Sequence, residues 1–76
     1  MEVFYTSDFS ISAYLRSIDF KITDIKREGR KVYFGFSNTP ELKKSIEDFD
    51  SGVPKEIKRF IAAQSELKSI IYDRDF

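Results

Sequence analysis

Three hydroxyl groups and a carboxylate lie side by side near the start of the chain, on Tyr5, Thr6, Ser7 and Asp8. The pattern places them where a strand runs into a helix, and the unpaired amides of a helix N-terminus can bind an anion. A carboxylate at that end repels a second anion, so Ser7 or Asp8 is better suited to capping the helix. Tyr5 is a poor base at neutral pH, because the ordinary pKa of a phenol is about 10. We therefore interpret residues 5–8 as a structural junction.

The other residue types that catalysis and metal binding need are scarce. The 76 residues contain no Cys and no His, which removes disulfides, thiolate chemistry, imidazole catalysis and most transition-metal sites. Two groups of carboxylates lack the spacing of a metal loop or of an acid–base pair. They are Glu47, Asp48 and Asp50, and Asp73 and Asp75. We expect a non-enzymatic protein with no catalytic residue, no metal site and no cofactor.

Basic residues cluster around a predicted turn, and an aromatic residue follows them. They are Lys26, Arg27, Arg30 and Lys31, followed by Tyr33. This set could bind single-stranded nucleic acid, with phosphates on the cations and a base on the ring, and Gly35 would allow close approach. A solvated hairpin that resists aggregation is the alternative. Lys and Arg balance Asp and Glu at 13 each, so no overall field favours nucleic acid or a membrane surface.

Apolar spacing predicts the elements that position these side chains. Residues 1–6 have a strand pattern, and a helix follows with one apolar stripe. Phe20 and Ile22 alternate with polar residues in a second strand, whereas Ile25 falls out of phase and predicts a bulge or the end of the strand. The stripe of the first helix consists of Ile11, Tyr14, Leu15 and Ile18.

A Gly at position 29 allows the positive φ of a tight hairpin leading into a third strand over residues 30–37. Thr39-Pro40 then predicts a helix start, because Thr caps and Pro suits the first helical position. Gly52 is placed to end this helix, and Pro54 opens a third that extends to about Tyr72. In the third strand, Val32, Phe34 and Phe36 share one face, and Tyr33 and Gly35 share the other. The helix stripes are Leu42, Ile46 and Phe49, and then Ile57, Phe60, Ile61, Leu67 and Ile71.

These elements predict one α+β domain over residues 1–76. A right-handed crossover makes the first two strands parallel, and the hairpin makes the third antiparallel to both. With the third strand in the centre, the order is 2-3-1 in a wholly antiparallel sheet. We expect a two-layer β-α-β-β-α-α fold, with helices on one face of the sheet and a partly open face opposite.

The third helix is predicted to be roughly 28 Å long and to carry more apolar residues than a small core needs. Gln64 interrupts its stripe, so its amide must find a partner, across a symmetric contact or in water. Ile70 and the terminal Phe76 add apolar surface. A partner or self-association surface is therefore predicted, formed by Tyr33, Gln64, Leu67, Ile70 and Ile71.

Four segments of the chain form a set of motifs, namely Tyr5-Thr6-Ser7-Asp8, Ala13-Tyr14-Leu15, Val32-Tyr33-Phe34-Gly35-Phe36, and Phe60 with Leu67-Lys68-Ser69-Ile70-Ile71. Together these segments resemble a family of small bacterial and phage domains with no assigned activity. The family opens with Tyr-Thr-Ser-Asp, carries an aromatic Phe-x-Phe strand and ends in a helix with Leu-Lys-Ser. This chain departs from it with Asp19 in place of Gly and Phe9 in place of Leu. The resemblance implies a shared fold and, through the phage members, a small accessory or host-directed binding protein.

We therefore expect a binding module that acts on a protein partner, and a homo-oligomer is an open possibility. Nucleic-acid binding through the basic hairpin is the second hypothesis. No segment approaches the roughly 20 apolar residues of a membrane span, and the start of the chain lacks the pattern of a signal peptide. These observations predict a protein of the cytoplasm that has no membrane partner.

Overall fold

The computed structural model describes residues 2–50 and 56–72, apart from the side chain of Asp50. Within this part of the chain the elements are β1 (Val3–Thr6), α1 (Phe9–Ser17), β2 (Ile22–Glu28), β3 (Lys31–Ser37), α2 (Pro40–Asp50) and α3 (Ile57–Tyr72). The predicted α+β class is confirmed. The features expected at Gly52, Pro54, Asp73, Asp75 and Phe76 lie outside the described residues.

The three strands form one antiparallel sheet in the order β1-β3-β2. This is the predicted order, 2-3-1, viewed from the other edge. The central position of β3 accounts for its aromatic residues. A strand with a neighbour on each side lies in the middle of the sheet, where helices can cover the side chains on one face. Phe34 and Phe36 are fully buried on the face that packs against the helices.

A two-residue turn, Gly29-Arg30, joins β2 to β3, and the pair that closes it is Glu28 and Lys31. Gly29 has φ of 59°, and Arg30 has no positive φ, which fits a type II′ turn with glycine in its first central position. Because Arg30 belongs to the turn, β3 begins at Lys31 and not at residue 30 as expected.

A β-bulge interrupts β2 near its start. Ile22 lies opposite Phe36 and Asp24 lies opposite Gly35, so Thr23 is the extra residue. The Thr23 hydroxyl donates a hydrogen bond of 3.3 Å to the carbonyl oxygen of Gly35. The bulge brings Ile22 and Ile25 to the same face although they are three residues apart, which is the irregularity that the out-of-phase Ile25 predicts.

Helix α1 ends with Asp19 in the left-handed region, at φ of 74°. The amide of Asp19 donates to the carbonyl of Arg16 (3.2 Å), and the amide of Phe20 donates to that of Leu15 (3.0 Å), which is a Schellman motif. The glycine expected at this point is therefore replaced by one of the few other residues that tolerate this conformation. Phe20 belongs to this motif and not to the second strand, which starts at Ile22.

The core lies between the sheet and the three helices. Tyr14 of α1 stacks on Phe49 of α2 with 4.7 Å between ring centroids, and Phe49 meets Phe60 of α3 at 6.5 Å. This row of rings links the helices to one another. The buried apolar residues are Ala13, Leu15, Phe34, Phe36, Leu42, Ala63 and Leu67.

Helix α3 has a different buried stripe from the predicted one. Ala63 and Leu67 are buried, whereas Ile57 is 59% exposed and Ile61 is 54% exposed. Since the helix begins at Ile57, its length is about 24 Å and not 28 Å. Ile18, expected in the stripe of α1, is also exposed, because it is the C-cap residue at which the helix ends.

Candidate functional site

The open face of the sheet is occupied at its centre by the ring of Tyr5. Tyr5 lies opposite Gly35, and a Cβ atom at Gly35 would come within 2.9 Å of Cε1 of Tyr5 and of Cγ1 of Val3. The glycine thus leaves space for side chains of the neighbouring strand. The close approach that the sequence offered to an external ligand is taken by Tyr5 itself.

Tyr5 reaches across the central strand to the opposite edge of the sheet. Its hydroxyl donates a hydrogen bond of 2.6 Å to Oδ2 of Asp24, while Oδ1 of Asp24 accepts the amide of Ile25 at 2.9 Å. The ammonium of Lys26 lies 4.3 Å from the centroid of the Tyr5 ring, a cation–π distance. One side chain therefore ties β1 to β2 over β3.

The same hydrogen bond shifts both ionisation equilibria. The bond to Asp24 raises the pKa of the Tyr5 phenol, and the bond from Tyr5 lowers the pKa of the Asp24 carboxyl. Both shifts favour the states found at neutral pH, a neutral phenol and a charged carboxylate. A phenol with a raised pKa is a weaker acid, so this arrangement fits a structural bridge.

Residues 6–8 form the start of α1. Oδ1 of Asp8 accepts the amide of Ile11 at 3.0 Å, and Oγ1 of Thr6 accepts the amide of Asp8 at 3.0 Å. The hydroxyl of Ser12 donates to the carbonyl of Asp8 at 2.9 Å. Of the two predicted caps, Ser7 and Asp8, the structure uses Asp8. Tyr5 does not belong to this group, because its side chain lies on the open face of the sheet.

The basic residues of the hairpin do not lie on one surface. Arg27 alternates onto the helix-facing side of β2, where its guanidinium donates to the carbonyls of Ile70 (2.6 Å) and Ile71 (3.1 Å). Lys26 lies on the open face with Tyr33 opposite it in the ladder. Arg30 and Lys31 are exposed at the turn. The set of five residues is thus divided between two faces and a turn.

The predicted self-association surface is divided as well. Leu67 is fully buried in the core, so it cannot line a surface of this fold. Ile70 and Ile71 pack partly against that core, and Gln64 is half-buried beside it. Tyr33 lies on the far side of the sheet. The large apolar residues of α3 that are exposed are instead Ile57, Ile61 and Tyr72.

An open groove lies between β2 and α3, which we call the β2–α3 groove. Its apolar part is formed by Ile22, Ile25 and Ile70, and its volume is about 1060 Å³. At its rim, Arg16 holds Glu66 through two hydrogen bonds of 3.2 Å. This bidentate pair connects α1 to α3 and gives the groove a fixed polar border.

This groove is not among the features predicted from the sequence. Its apolar part depends on the bulge, which turns Ile22 and Ile25 to the same side. The three-residue spacing of Ile22 and Ile25 is the feature of the sequence that indicates this arrangement. The position of α3 beside β2, which closes the groove with Ile70, has no signal in local periodicity, because it depends on contacts such as Arg27 with the end of α3.

No helix in residues 2–50 and 56–72 is long and apolar enough to cross a membrane. The same residues contain no group of three or more acidic side chains that could hold a metal ion.

A family model described as a domain of unknown function, DUF5659, matches residues 1–73. No curated protein and no solved structure matches the chain. The match agrees with the expected small domain of unassigned activity, and the bacterial and phage origin stays a prediction.

Proposed function

Because the chain belongs to the DUF5659 family, whose description assigns no function, we propose from its own surface that it is a non-enzymatic module that binds a protein partner. The β2–α3 groove carries this proposal. An apolar depression with a polar rim is the usual form of a recognition site. A location in the cytoplasm and an origin in a phage or mobile element belong to the same proposal.

The groove suits a partner segment that contributes apolar side chains. Ile22 and Ile25 come from the sheet, and Ile70 faces them from α3. Each is held by the core, so little side-chain order has to be gained when a partner binds. The groove is open to solvent, which favours a segment of a larger molecule over an enclosed small ligand.

Charges at the rim add a polar requirement. Arg16 and Glu66 form an ion pair with each other, and Asp24 accepts hydrogen bonds from Tyr5 and Ile25. Lys21 is exposed and lines the groove beside them. The partner segment that fits this chemistry has apolar residues next to one carboxylate, which would pair with Lys21.

The second hypothesis, nucleic-acid binding, has less support. Arg30 and Lys31 are exposed together at the turn, but Arg27 is bound to α3 carbonyls and Tyr5 covers Gly35. A test should use Arg30→Glu with Lys31→Glu and leave Arg27 unchanged. This hypothesis predicts binding of a single-stranded oligonucleotide that weakens with salt and with both substitutions.

Site-specific photo-crosslinking tests the groove. A photoreactive residue at Ser69, an exposed position lining the groove, should capture a discrete partner in the host lysate. The same residue at Ser10, exposed on α1 and outside the groove, is the control. After the partner is identified and purified, Ser69→Arg should lower its affinity at least about tenfold, or ~1.4 kcal/mol, while Ser10→Arg should not. Equal crosslinking at both positions, or equal affinity of both variants, would overturn the proposal.

A further inference from the structure

Strand β1 has hydrogen-bonding groups that point away from the sheet. The amide of Asn38 donates to the carbonyl of Glu2 at 3.1 Å, so these two residues form a hydrogen-bonded pair. In an antiparallel ladder such pairs alternate along the strand, and the next ones are Phe4 with Phe36 and Thr6 with Phe34. The N–H and C=O groups of Val3 and Tyr5 therefore point outward.

No strand lies beyond β1 in the described part of the chain. Val3 is exposed, and Tyr5 is half-buried with its ring over Gly35. The outward N–H and C=O groups of Val3 and Tyr5 form the edge of a regular strand, without a bulge or proline. Such an edge is a template for another strand.

The two edges of the sheet are protected to different degrees. β2 carries a bulge and a run of charged residues, and Asp24 accepts its neighbour's amide. Bulges and charges on an edge strand prevent pairing with other chains. The four residues of β1, Val-Phe-Tyr-Thr, have no charge. Within residues 2–50 and 56–72, one edge of the sheet is thus blocked and the other is open.

We propose that the edge of β1 pairs with β1 of a second copy of this chain, giving a twofold dimer with one continuous six-stranded sheet. The register follows from the outward groups. If Phe4 of each copy lies at the twofold axis, Val3 of one copy faces Tyr5 of the other, and both pairs exchange N–H···O=C hydrogen bonds.

A second copy suits this edge because the strand is complementary to itself. In this register Val3 lies opposite Tyr5 of the other copy on the open face, and the Tyr5 ring leans away over Gly35, so it does not obstruct the approaching strand. Glu2 lies opposite Thr6, so no like charges meet. The chain carries 13 acidic and 13 basic residues, which leaves no net repulsion between copies.

The dimer leaves the β2–α3 groove accessible, because groove and interface lie at opposite edges of the sheet. The inference therefore goes beyond the proposed function and does not depend on it. Ser69→Arg should leave self-association unchanged, and substitutions at Val3 should leave the partner contact at the groove in place.

Analytical ultracentrifugation tests the dimer first. The protein concentration should range from low micromolar to about 1 mM, so that even a very weak dimer would be detected. Val3→Pro removes an outward N–H that the monomer's ladder does not use. It should weaken dimerisation roughly 30-fold, since two symmetric hydrogen bonds are lost. Val3→Ala shortens the same side chain but keeps the N–H, and should dimerise much more tightly than Val3→Pro. A monomer at every concentration, or equal dimerisation of both variants, would overturn the inference.

A measurement on the unmodified protein keeps the test decisive if Val3→Pro fails to fold. Amide exchange at Val3 and Tyr5 should slow as protein concentration rises, whereas Phe4 and Thr6 should be protected at all concentrations. In a mixture of labelled and unlabelled protein, NMR should detect an intermolecular contact between the Hα atoms of the two Phe4 residues. Concentration-independent exchange at Val3 and Tyr5, or a dimer without the Phe4 contact, would show that copies do not meet at this edge.

Discussion

The Tyr5 hydroxyl and the Asp24 carboxylate are joined by a 2.6 Å hydrogen bond that passes over Gly35 of the central strand. The two residues lie on the outer strands of the sheet, so the bond connects its edges. It gives the open face a fixed side-chain layer without any contribution from the helices.

This relationship predicts coupling between the two side chains. Tyr5→Phe and Asp24→Ala should each lower the midpoint of thermal unfolding by a few degrees, in a domain of this size. The double variant should lose less than the sum of the single losses, because either change alone already breaks the bond. Thermal unfolding monitored by circular dichroism measures the three variants, and additive losses would show that the bond contributes nothing.

The same pair predicts a dependence on pH. The pKa of the Asp24 carboxyl is lowered from 3.8 in the folded protein. Its contribution to the stability of the fold is therefore present above that value and is lost as pH falls through the folded pKa. The pKa of Tyr5 is raised from 10.0, so its contribution is present below that value and is lost as pH rises through the folded pKa. The stability difference between the natural protein and Tyr5→Phe should be constant from about pH 5 to 9 and shrink outside it. Urea unfolding across the pH range measures it, and a difference that grows at either end would contradict the assignment.

The left-handed residue at the end of α1 offers a stabilising substitution. Asp19→Gly should raise the free energy of unfolding by about 0.5–1 kcal/mol, because glycine adopts positive φ without the steric cost that a Cβ brings. The exposed ion pair between Asp19 and Arg59, 3.3 Å long, is worth little. Asp19→Ala loses the same ion pair but keeps a Cβ, and should be less stable than the natural protein. Chemical denaturation measures the free energy of unfolding of both variants. Equal stability of Asp19→Gly and Asp19→Ala would show that the positive φ at this position causes no strain.

Arg27 is predicted to stabilise the C-terminal end of α3 and not to bind a nucleic acid. Arg27→Ala should cost about 1 kcal/mol, because it removes charge-assisted hydrogen bonds to two carbonyls at a helix C-terminus. Hydrogen exchange should accelerate locally in the last turn of α3. Arg30→Ala, at the exposed turn, should stay within about 0.5 kcal/mol of the natural protein. Similar effects of the two variants would contradict the contact.

The buried stripe of α3 is tested by two truncations of the same helix. Leu67→Ala should cost about 2–5 kcal/mol, a large share of the stability of a small domain, because Leu67 is fully buried. Ile61→Ala should change stability by less than about 0.5 kcal/mol, since Ile61 is 54% exposed. Thermal unfolding of both variants measures the difference. A large loss at Ile61 would restore the stripe predicted from the sequence.

Local patterns predicted the elements of this fold better than the contacts between them. Thr39 and Pro40 mark the start of α2 because capping acts within one turn, and the phase of Ile25 reveals the bulge for the same reason. Periodicity could not exclude Ile61 from the core, because Ile57, Ile61 and Leu67 fit a helical stripe as well as the observed one does.

The candidate site was harder to predict because it depends on register. Tyr5 meets Asp24 only because both are aligned with Gly35 of the strand between them. Residues 19 positions apart have no local signal that joins them. Arg27 and Ile70, 43 positions apart, present the same difficulty.

The bulge at Thr23 has a consequence for how this chain can vary. It sets the parity of β2, so every residue after it points to the face opposite the one it would take in an uninterrupted strand. If Thr23 were instead paired regularly with Gly35, Ile25 and Arg27 would face the open side, and Asp24 and Lys26 would face the core. Replacing Thr23 removes one hydroxyl contact, and deleting it would leave a regular ladder in which every later residue of β2 keeps its present face. The strand can therefore lose a residue at this point, whereas the loss of one elsewhere in its regular ladder would exchange the two faces.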